Sequence, residues 1–254
     1  MNVSVALLPD EIDPQLDLTR CCVAVIDVLR ATSVMSTAGK AGALDIVTYA
    51  SSEEARRMAK QSEVPSLLCG ERHCIKIEGF DLGNSPSEYT TEQVTGKRVI
   101  MTTTNGTAAI AKSQTAGEMI CVSLLNFSAS VKELSGHESV CIVCAGTNGR
   151  ISSEDVLLAG GLVDALKVRD QETGLDDSAR IAWALWQQSV GTGKPDASRI
   201  VEELRRSQGG RNLQAIGHGD DIAVCSQIDS VEGIIRRVSS NPPTFRYQAA
   251  DAKR

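Results

Sequence analysis

The sequence is poor in aromatic side chains, with only 3% Phe, Trp and Tyr in 254 residues. That is too few for a row of base-stacking platforms or the floor of a carbohydrate groove. Histidine is also scarce, at three in the whole chain, which disfavours an imidazole-rich metal site. A basic patch is missing too. Net charge is −6, and the nearest basic stretch, Arg205, Arg206 and Arg211, lies beside Glu202 and Glu203. Nucleic acid is therefore not an expected partner. No apolar run approaches the roughly 20 residues of a membrane span. The opening segment NVSVALLPDEIDP, after Met1, has no basic flank and meets acids at once, unlike a signal peptide. The expectation is a cytoplasmic protein with no membrane partner.

What the chain does have is apolar content, 42% of residues, enough for a sizeable core. Its eight cysteines fall mostly in or beside strand-like apolar runs, where reduced cysteine acts as a small hydrophobe. Cys141 and Cys144 form a CxxC, but Ile142 and Val143 between them read as strand interior, so zinc or redox chemistry there is disfavoured.

Periodicity and turn residues predict strands at residues 3–8, 22–26, 46–50, 66–69, 98–102, 119–123, 139–144 and 222–226. Helices are predicted at 32–40, 52–60, 108–112, 129–134, 153–167, 176–190, 197–207 and 231–238, with Ser52 and Ser153 as caps. The tail from Ser239, polar with two prolines, reads as partly loose. Strands alternate with helices almost throughout and no linker stands out. The expectation is a single α/β domain over residues 1–254 with a mostly parallel sheet.

Three times a predicted strand opens into a polar loop and then a helix, at Asp27, Thr102 and Ala145. Ligands gather at the carboxyl ends of strands in such sheets. In DVLRATSV (27–34), Asp27 either caps the next helix or binds a metal, with even weight on the two. Arg30 is either a solvated helix-start residue or a bidentate anion clamp, and Thr32 and Ser33 offer hydroxyls beside it. CGERHCIKIEGFDLGNSPSEY (69–89) is dense in Glu71, Arg72, Asp81, Asn84, Ser85 and Glu88, punctuated by glycines that permit close backbone approach. Ser85 and Pro86 can open a helix there, and Phe80, packed inward, would fix the direction of Asp81.

TTTNGT (102–107) could be a hairpin turn, but the helix-favouring AAIAK that follows makes an anion-binding loop the better reading. It lacks the Gly-Lys-Ser/Thr of a P-loop. In GTNGRISSEDVLLAG (146–160), Glu154 and Asp155 sit where the helix macrodipole alone would favour acids. In GHGDD (217–221), His218 is more often a solvated loop residue than a ligand. Many oxygen donors, a few arginines and no zinc set point to Mg²⁺ and phosphate chemistry.

DVLRATSV, GER (70–72), GFDLGNSPSEY (79–89), TTTNGT, CAGTNG (144–149) and EDVLLAG (154–160) together resemble the 2-phosphosulfolactate phosphatase (ComB) family, in order along most of the chain. The resemblance implies a three-layer α/β/α fold particular to that family. It also implies Mg²⁺-dependent hydrolysis of 2-phospho-3-sulfolactate to 3-sulfolactate and phosphate, a step towards coenzyme M. Carried over, Asp27, Glu71 and Asp81 would be the acidic, metal-binding centre, with Asp27, Arg30 and Glu71 catalytic. Arg30 and Arg72 would meet the substrate's anions. Thr32, Ser33, Asn84, Ser85, Thr104, Asn105 and Gly106 would contact phosphate or substrate. The expected partner is a small anionic molecule, and a homo-oligomer is compatible with it. The chain departs from the family pattern at Val34, where threonine is favoured, and at His73-Cys74, where glycine is favoured.

Two mechanisms stay open: Asp27 attacking phosphorus, or an acid such as Glu71 or Asp81 positioning a water. Two rival functions also remain, a phosphatase of the same fold for another phosphorylated acid and a non-catalytic binder of such acids.

Overall fold

The computed structural model describes residues 1–169, 174–191 and 196–250. β2 (Cys22–Ile26) shows how its layers form. Side chains alternate along a strand, so Cys22, Ala24 and Ile26 enter one apolar cluster while Val23 and Val25 enter another. A strand buried on both faces reads as the continuous run CVAVI, as parallel-sheet interiors do. Its neighbours are β7 (Glu118–Val122) and β8 (Ser139–Cys144), both parallel to it. β1 (Asn2–Ala6) and the two-residue β9 (Gly174–Leu175) continue this block beyond β8.

A second parallel block consists of β3 (Asp45–Thr48), β6 (Arg98–Thr102) and β4 (Ser66–Arg72), with the short antiparallel β5 (Ile75–Lys76) at its edge. The hairpin of β10 (Gly233–Ser240) and β11 (Pro243–Ala249) joins the blocks. β10 pairs antiparallel with β7, and β11 antiparallel with β3. The order across the sheet is β5-β4-β6-β3-β11-β10-β7-β2-β8-β1-β9. Three successive antiparallel pairings mean that the two blocks run in opposite senses.

The helices are α1 (Ala31–Lys40), α2 (Ser52–Lys60), α3 (Thr91–Val94), α4 (Gly106–Lys112), α5 (Phe127–Leu134), α6 (Ser153–Arg169), α7 (Asp177–Ser189), α8 (Ala197–Arg206), α9 (Gln208–Ala215) and α10 (Asp220–Cys225). Val34, Met35 and Ala38 of α1 and Ala109 and Ile110 of α4 share one cluster with residues from both strand blocks. The sheet therefore curls round α1 and α4. On its other face α5 to α10 cover the first block, and α2 covers β3 and β6. This is the three-layer α/β/α arrangement expected, built on a large, mostly parallel mixed sheet. Cys141 and Cys144 face opposite clusters, so the CxxC assembles no site. No helix among the described residues is long and apolar enough to cross a membrane.

The C-terminal third corrects the sequence reading. Residues 222–226, expected as a strand, lie largely in α10, with Asp220 and Asp221 in its first turn and Ile222 and Cys225, three apart, both buried. Residues 208–215 form α9, which was not expected. Residues 231–238, expected as helix, fall mostly in β10, and the tail expected to be loose supplies β11. The apolar spacing of Val231, Ile234, Ile235 and Val238 is the helical i, i+3, i+4, i+7 pattern, but pairing with β7 overrides it and sends Ile234 and Ile235 to opposite faces of the sheet. Residues 251–254 of that tail lie outside the described set. Ser51, one residue before the expected Ser52, caps α2 by accepting from the Glu54 N–H at 3.1 Å.

Phe245 of β11 is fully buried, packed between the blocks. Phe245→Ala should cost about 3–5 kcal/mol in urea unfolding, as for other buried Phe→Ala changes. A loose tail would lose no more than about 0.5 kcal/mol.

Candidate active site

A cavity of about 270 Å³ opens where strand ends from both blocks meet. It is lined by Asp27 after β2, Glu71 of β4, Thr104 and Asn105 after β6, and Thr147 and Asn148 after β8. Arg30, His73, Cys74, Asn84 and, from the α9 end, Asn212 and Ile216 complete most of the wall. The loops that open at Asp27, Thr102 and Ala145 are thus brought together, and Asn105 Oδ1 accepts from the Asn148 N–H at 3.1 Å.

Asp27 ends β2 because its carboxylate serves the next turn: Oδ1 accepts from the Ala31 N–H at 3.1 Å. The Gly106 N–H donates to the same carboxylate. A Cβ at Gly106 would lie 2.6 Å from Ala31 Cβ and 2.8 Å from Asp27 Oδ2, so the NG of TTTNGT is glycine for close approach rather than for a hairpin. Burial, and after it the charges of Glu71 and Glu154, push the Asp27 carboxyl up to about 7, against the two N–H donors. The cap reading of Asp27 and its place in the cavity are both realised in one side chain.

Glu71 is buried and gripped at both oxygens. Oε1 accepts from the Thr104 N–H and Oε2 from the Cys74 N–H, each at 2.7 Å. The latter depends on the β4–β5 turn, where His73 and Cys74 both have positive φ, 54° and 66°. Two such residues in a tight hairpin are where glycine is favoured, and this is where the chain carries His-Cys instead. The same turn presents the Cys74 carbonyl to Arg30 Nη2 at 3.0 Å.

Arg30 is buried and ion-paired: Nη1 meets Asp221 Oδ2 at 2.5 Å. It is neither a solvated residue nor a clamp with all its donors free. Ser85 does not reach the cavity; its hydroxyl donates to Asp221 Oδ1 at 2.5 Å. Thr32 and Ser33 turn their hydroxyls onto the carbonyls of Asp27 and Val28, at 2.9 and 2.8 Å, and so brace the loop from within. Arg72 donates to Thr102 Oγ1 at 2.9 Å and to the carbonyls of Glu71 and Ala50, outside the cavity lining.

Asp81 is not brought to the site. It is exposed, and its Oδ2 accepts from the Leu68 N–H at 2.8 Å. Phe80 does pack inward, with Arg56 4.8 Å over its ring, but that turns Asp81 towards β4 rather than towards Asp27.

Sequence reasoning missed Asp221, and for Glu154 and Asp155 it weighed the helix macrodipole as one reason for acids there without naming another role. Both of the latter are buried. Asp155 accepts from Val28 N–H at 2.9 Å and Gly146 N–H at 3.0 Å, tying the loops after β2 and β8 together. Burial first, then the charges of Glu154 and Asp27, hold its carboxyl well above the usual range. Burial likewise raises Glu154, whose Oε2 has no hydrogen-bond partner among the described residues. Asn212 and Asn148 were not singled out either; isolated asparagines in polar loops carry no signal until the loops converge.

The residues present fit a hard divalent cation. Among the described residues, Asn84 Oδ1 and Thr104 Oγ1 are buried without hydrogen-bond partners, and both residues line the same cavity as Asp27 and Glu71. Unsatisfied buried oxygens are rare and call for a partner. The one thiol in the lining, Cys74, is raised by burial and by Glu71, which keeps it protonated and a poor ligand. Oxygen donors of this kind suit Mg²⁺.

Comparison with known proteins agrees with this geometry. The family model for 2-phosphosulpholactate phosphatase matches residues 6–239. A probable 2-phosphosulfolactate phosphatase of Thermotoga petrophila is 42% identical over 206 residues, 81% of this chain and 84% of that protein. One from Pseudothermotoga lettingae is 41% identical over 227 residues, covering 89% and 92%. Another, from Caldanaerobacter subterraneus, is 40% identical over 219 residues, covering 85% and 87%. With a match over nearly its whole length and an acid-lined cavity at its converging strand ends, the chain belongs to the 2-phosphosulfolactate phosphatase family of phosphoric monoester hydrolases.

Proposed function

We propose that this chain hydrolyses 2-phospho-3-sulfolactate to 3-sulfolactate and phosphate, with Mg²⁺ held by Asp27 and Glu71 and assisted by Asn84 Oδ1 and Thr104 Oγ1. The observation that carries this reading is the placing of two buried, N–H-braced carboxylates and two orphaned neutral oxygens around one small cavity. The relatives' name supplies the substrate. Its three-carbon frame suits a volume of about 270 Å³, near the small end for ligand pockets.

Charge supports the cation. Asp27 and Glu71 face the cavity as acids, while Arg30 is already paired with Asp221. A substrate carrying phosphate, sulfonate and carboxylate would be repelled from such a wall unless a divalent ion balanced it. When bound, Mg²⁺ supplies Lewis-acid stabilisation of the phosphate oxygens. The protein's own groups do the rest. Arg30 turns its remaining N–H groups on the phosphate, and the amides of Asn105, Asn148 and Asn212 are the donors for the sulfonate and carboxylate. The attacking oxygen belongs either to Asp27, fixed by its two N–H donors, or to a water oriented by Glu71. A borohydride quench during turnover separates the two, since only an acyl phosphate on Asp27 is reduced, giving homoserine at that position, while a free carboxylate is not.

The direct test is turnover of 2-phospho-3-sulfolactate with Mg²⁺, abolished by chelation, beside a panel of 2-phospho acids lacking the sulfonate. Equal kcat/KM across the panel would reject the sulfonated substrate, and no turnover with tight binding would reject the enzyme. Asp27→Asn and Glu71→Gln should each lower kcat/KM by about 100-fold or more, with partial recovery at high Mg²⁺. Asp81→Asn should leave kcat/KM within about 2-fold, because it loses only a hydrogen bond to Leu68 worth about 1 kcal/mol of stability.

Stability should follow the acids. A carboxyl raised to about 7 binds its proton more tightly in the folded than in the unfolded chain. Its contribution is present at low pH and is lost as pH rises from the ordinary carboxylate range through 7. Asp155 and Glu154 act in the same direction. In chelator, the melting temperature should fall between about pH 5 and pH 7.5, and Mg²⁺ should restore more at pH 7.5 than at pH 5. A Mg²⁺ effect equal at both pH values would remove Asp27 from the metal site.

A further inference from the structure

The motif GHGDD contains the acid that holds Arg30. Asp221, the second residue of α10, is separated from Arg30 by 191 positions, yet their side chains form a buried ion pair at 2.5 Å. Burying two charges is expensive, and such a pair is often no more stabilising than an apolar contact of the same shape. Stability alone is therefore a weak reason for it. The surroundings suggest another. Arg30 Nη1 is taken by Asp221 and Nη2 by the Cys74 carbonyl, while the residue still lines the cavity. Asp221 is anchored from behind by the Ser85 hydroxyl at 2.5 Å, which also meets Ser87 Oγ at 2.8 Å. His218 is the other titratable neighbour, with Nδ1 3.7 Å from the same Asp221 oxygen that Arg30 uses.

We propose that Asp221, anchored by Ser85, is a positioning residue that holds the Arg30 guanidinium at one edge so that its remaining N–H groups meet the substrate phosphate. A guanidinium is a planar fork whose donors point in fixed directions, so gripping one edge sets the direction of the others. A long side chain left free would have to be ordered by each incoming substrate, at an entropic cost to binding. This assignment rests on the phosphatase reading, for it needs a phosphate in the cavity. It gives Ser85 a role through Asp221 and Arg30 rather than as a direct substrate contact.

The sign of one measurement separates positioning from the alternatives. Asp221→Asn removes a negative charge close to the anion site. If that acid were only a competing charge, the variant would bind phosphate more tightly. If the pair only fastened α10 to the loop after β2, a folded variant would bind it unchanged. Positioning requires weaker binding despite the more favourable charge.

Binding of inorganic phosphate with Mg²⁺ present, measured calorimetrically, should weaken about 10- to 100-fold in Asp221→Asn, with KM for the substrate raised by a similar factor and kcat changed far less. Ser85→Ala, which keeps both charges, should weaken phosphate binding several-fold. That effect should disappear in an Arg30→Lys background, as expected when two groups act through one. Unchanged or tighter phosphate binding in folded Asp221→Asn would overturn the proposal. So would a Ser85→Ala effect that persists in full beside Arg30→Lys, and this comparison decides the matter if Asp221→Asn does not fold. Wild-type protein that binds no phosphate would also overturn it. Wild-type protein that binds phosphate but leaves 2-phospho-3-sulfolactate intact would instead reject the substrate assignment, and the variant series would still decide the role of Asp221.

Discussion

Two blocks of parallel strands run in opposite senses, and the antiparallel pair β10–β11 joins them. In a flat sheet, blocks of opposite sense would put their carboxyl ends on opposite sides. Strands twist relative to their neighbours by roughly 20–25°, and over a sheet this wide the twist accumulates. Here the sheet curls round α1 and α4, and the ends of β2 and β8 arrive beside those of β4 and β6. The contact of Gly106 with Asp27 and the Asn105–Asn148 hydrogen bond are where the halves meet. Everything in the site depends on that closure, because neither block carries both Asp27 and Glu71.

The closure has an electrostatic consequence. Asp27, Glu71, Glu154 and Asp155 are carried into a low-dielectric region, and their mutual repulsion adds to the cost of burial. Backbone N–H groups offset part of this at Asp27, Glu71 and Asp155. Most of these donors come from loops that would otherwise have unpaired amides, so the acids and the loops satisfy each other. A positive ion in the cavity would reduce that repulsion and could satisfy the buried oxygens of Asn84 and Thr104 that lack partners among the described residues.

Much of this was legible in the residues themselves. The α/β alternation followed from apolar period and turn residues, and the runs at β2, β6, β7 and β8 are buried strands as read. Asp27, Glu71, Thr104 and Asn105 were singled out for their place at strand ends, where α/β sheets bind ligands, and the structure brings all four to one cavity. The strings DVLRATSV, GFDLGNSPSEY and TTTNGT carried the family. The hydroxyls of Thr32 and Ser33 were misread for a physical reason: at a helix start, a hydroxyl aimed at a backbone carbonyl and one aimed at a ligand have the same sequence signature. Asp81 was misread because the turn it sits in could direct it to either side of β4.

The sequence by itself determined which segments are strands or helices wherever a pattern was long and unambiguous, and which loops are rich in chemistry. Those properties rest on interactions within about four residues, through period, capping and turn preference. Only the tertiary structure decided that β10 and β11 are strands, since an apolar spacing of helical period is overridden by the strand edges of β7 and β3 waiting to be paired. It alone placed Asp221 against Arg30 and turned Ser85 onto Asp221. A buried charge takes the partner that the fold brings within reach, and no local pattern records which distant residue that will be.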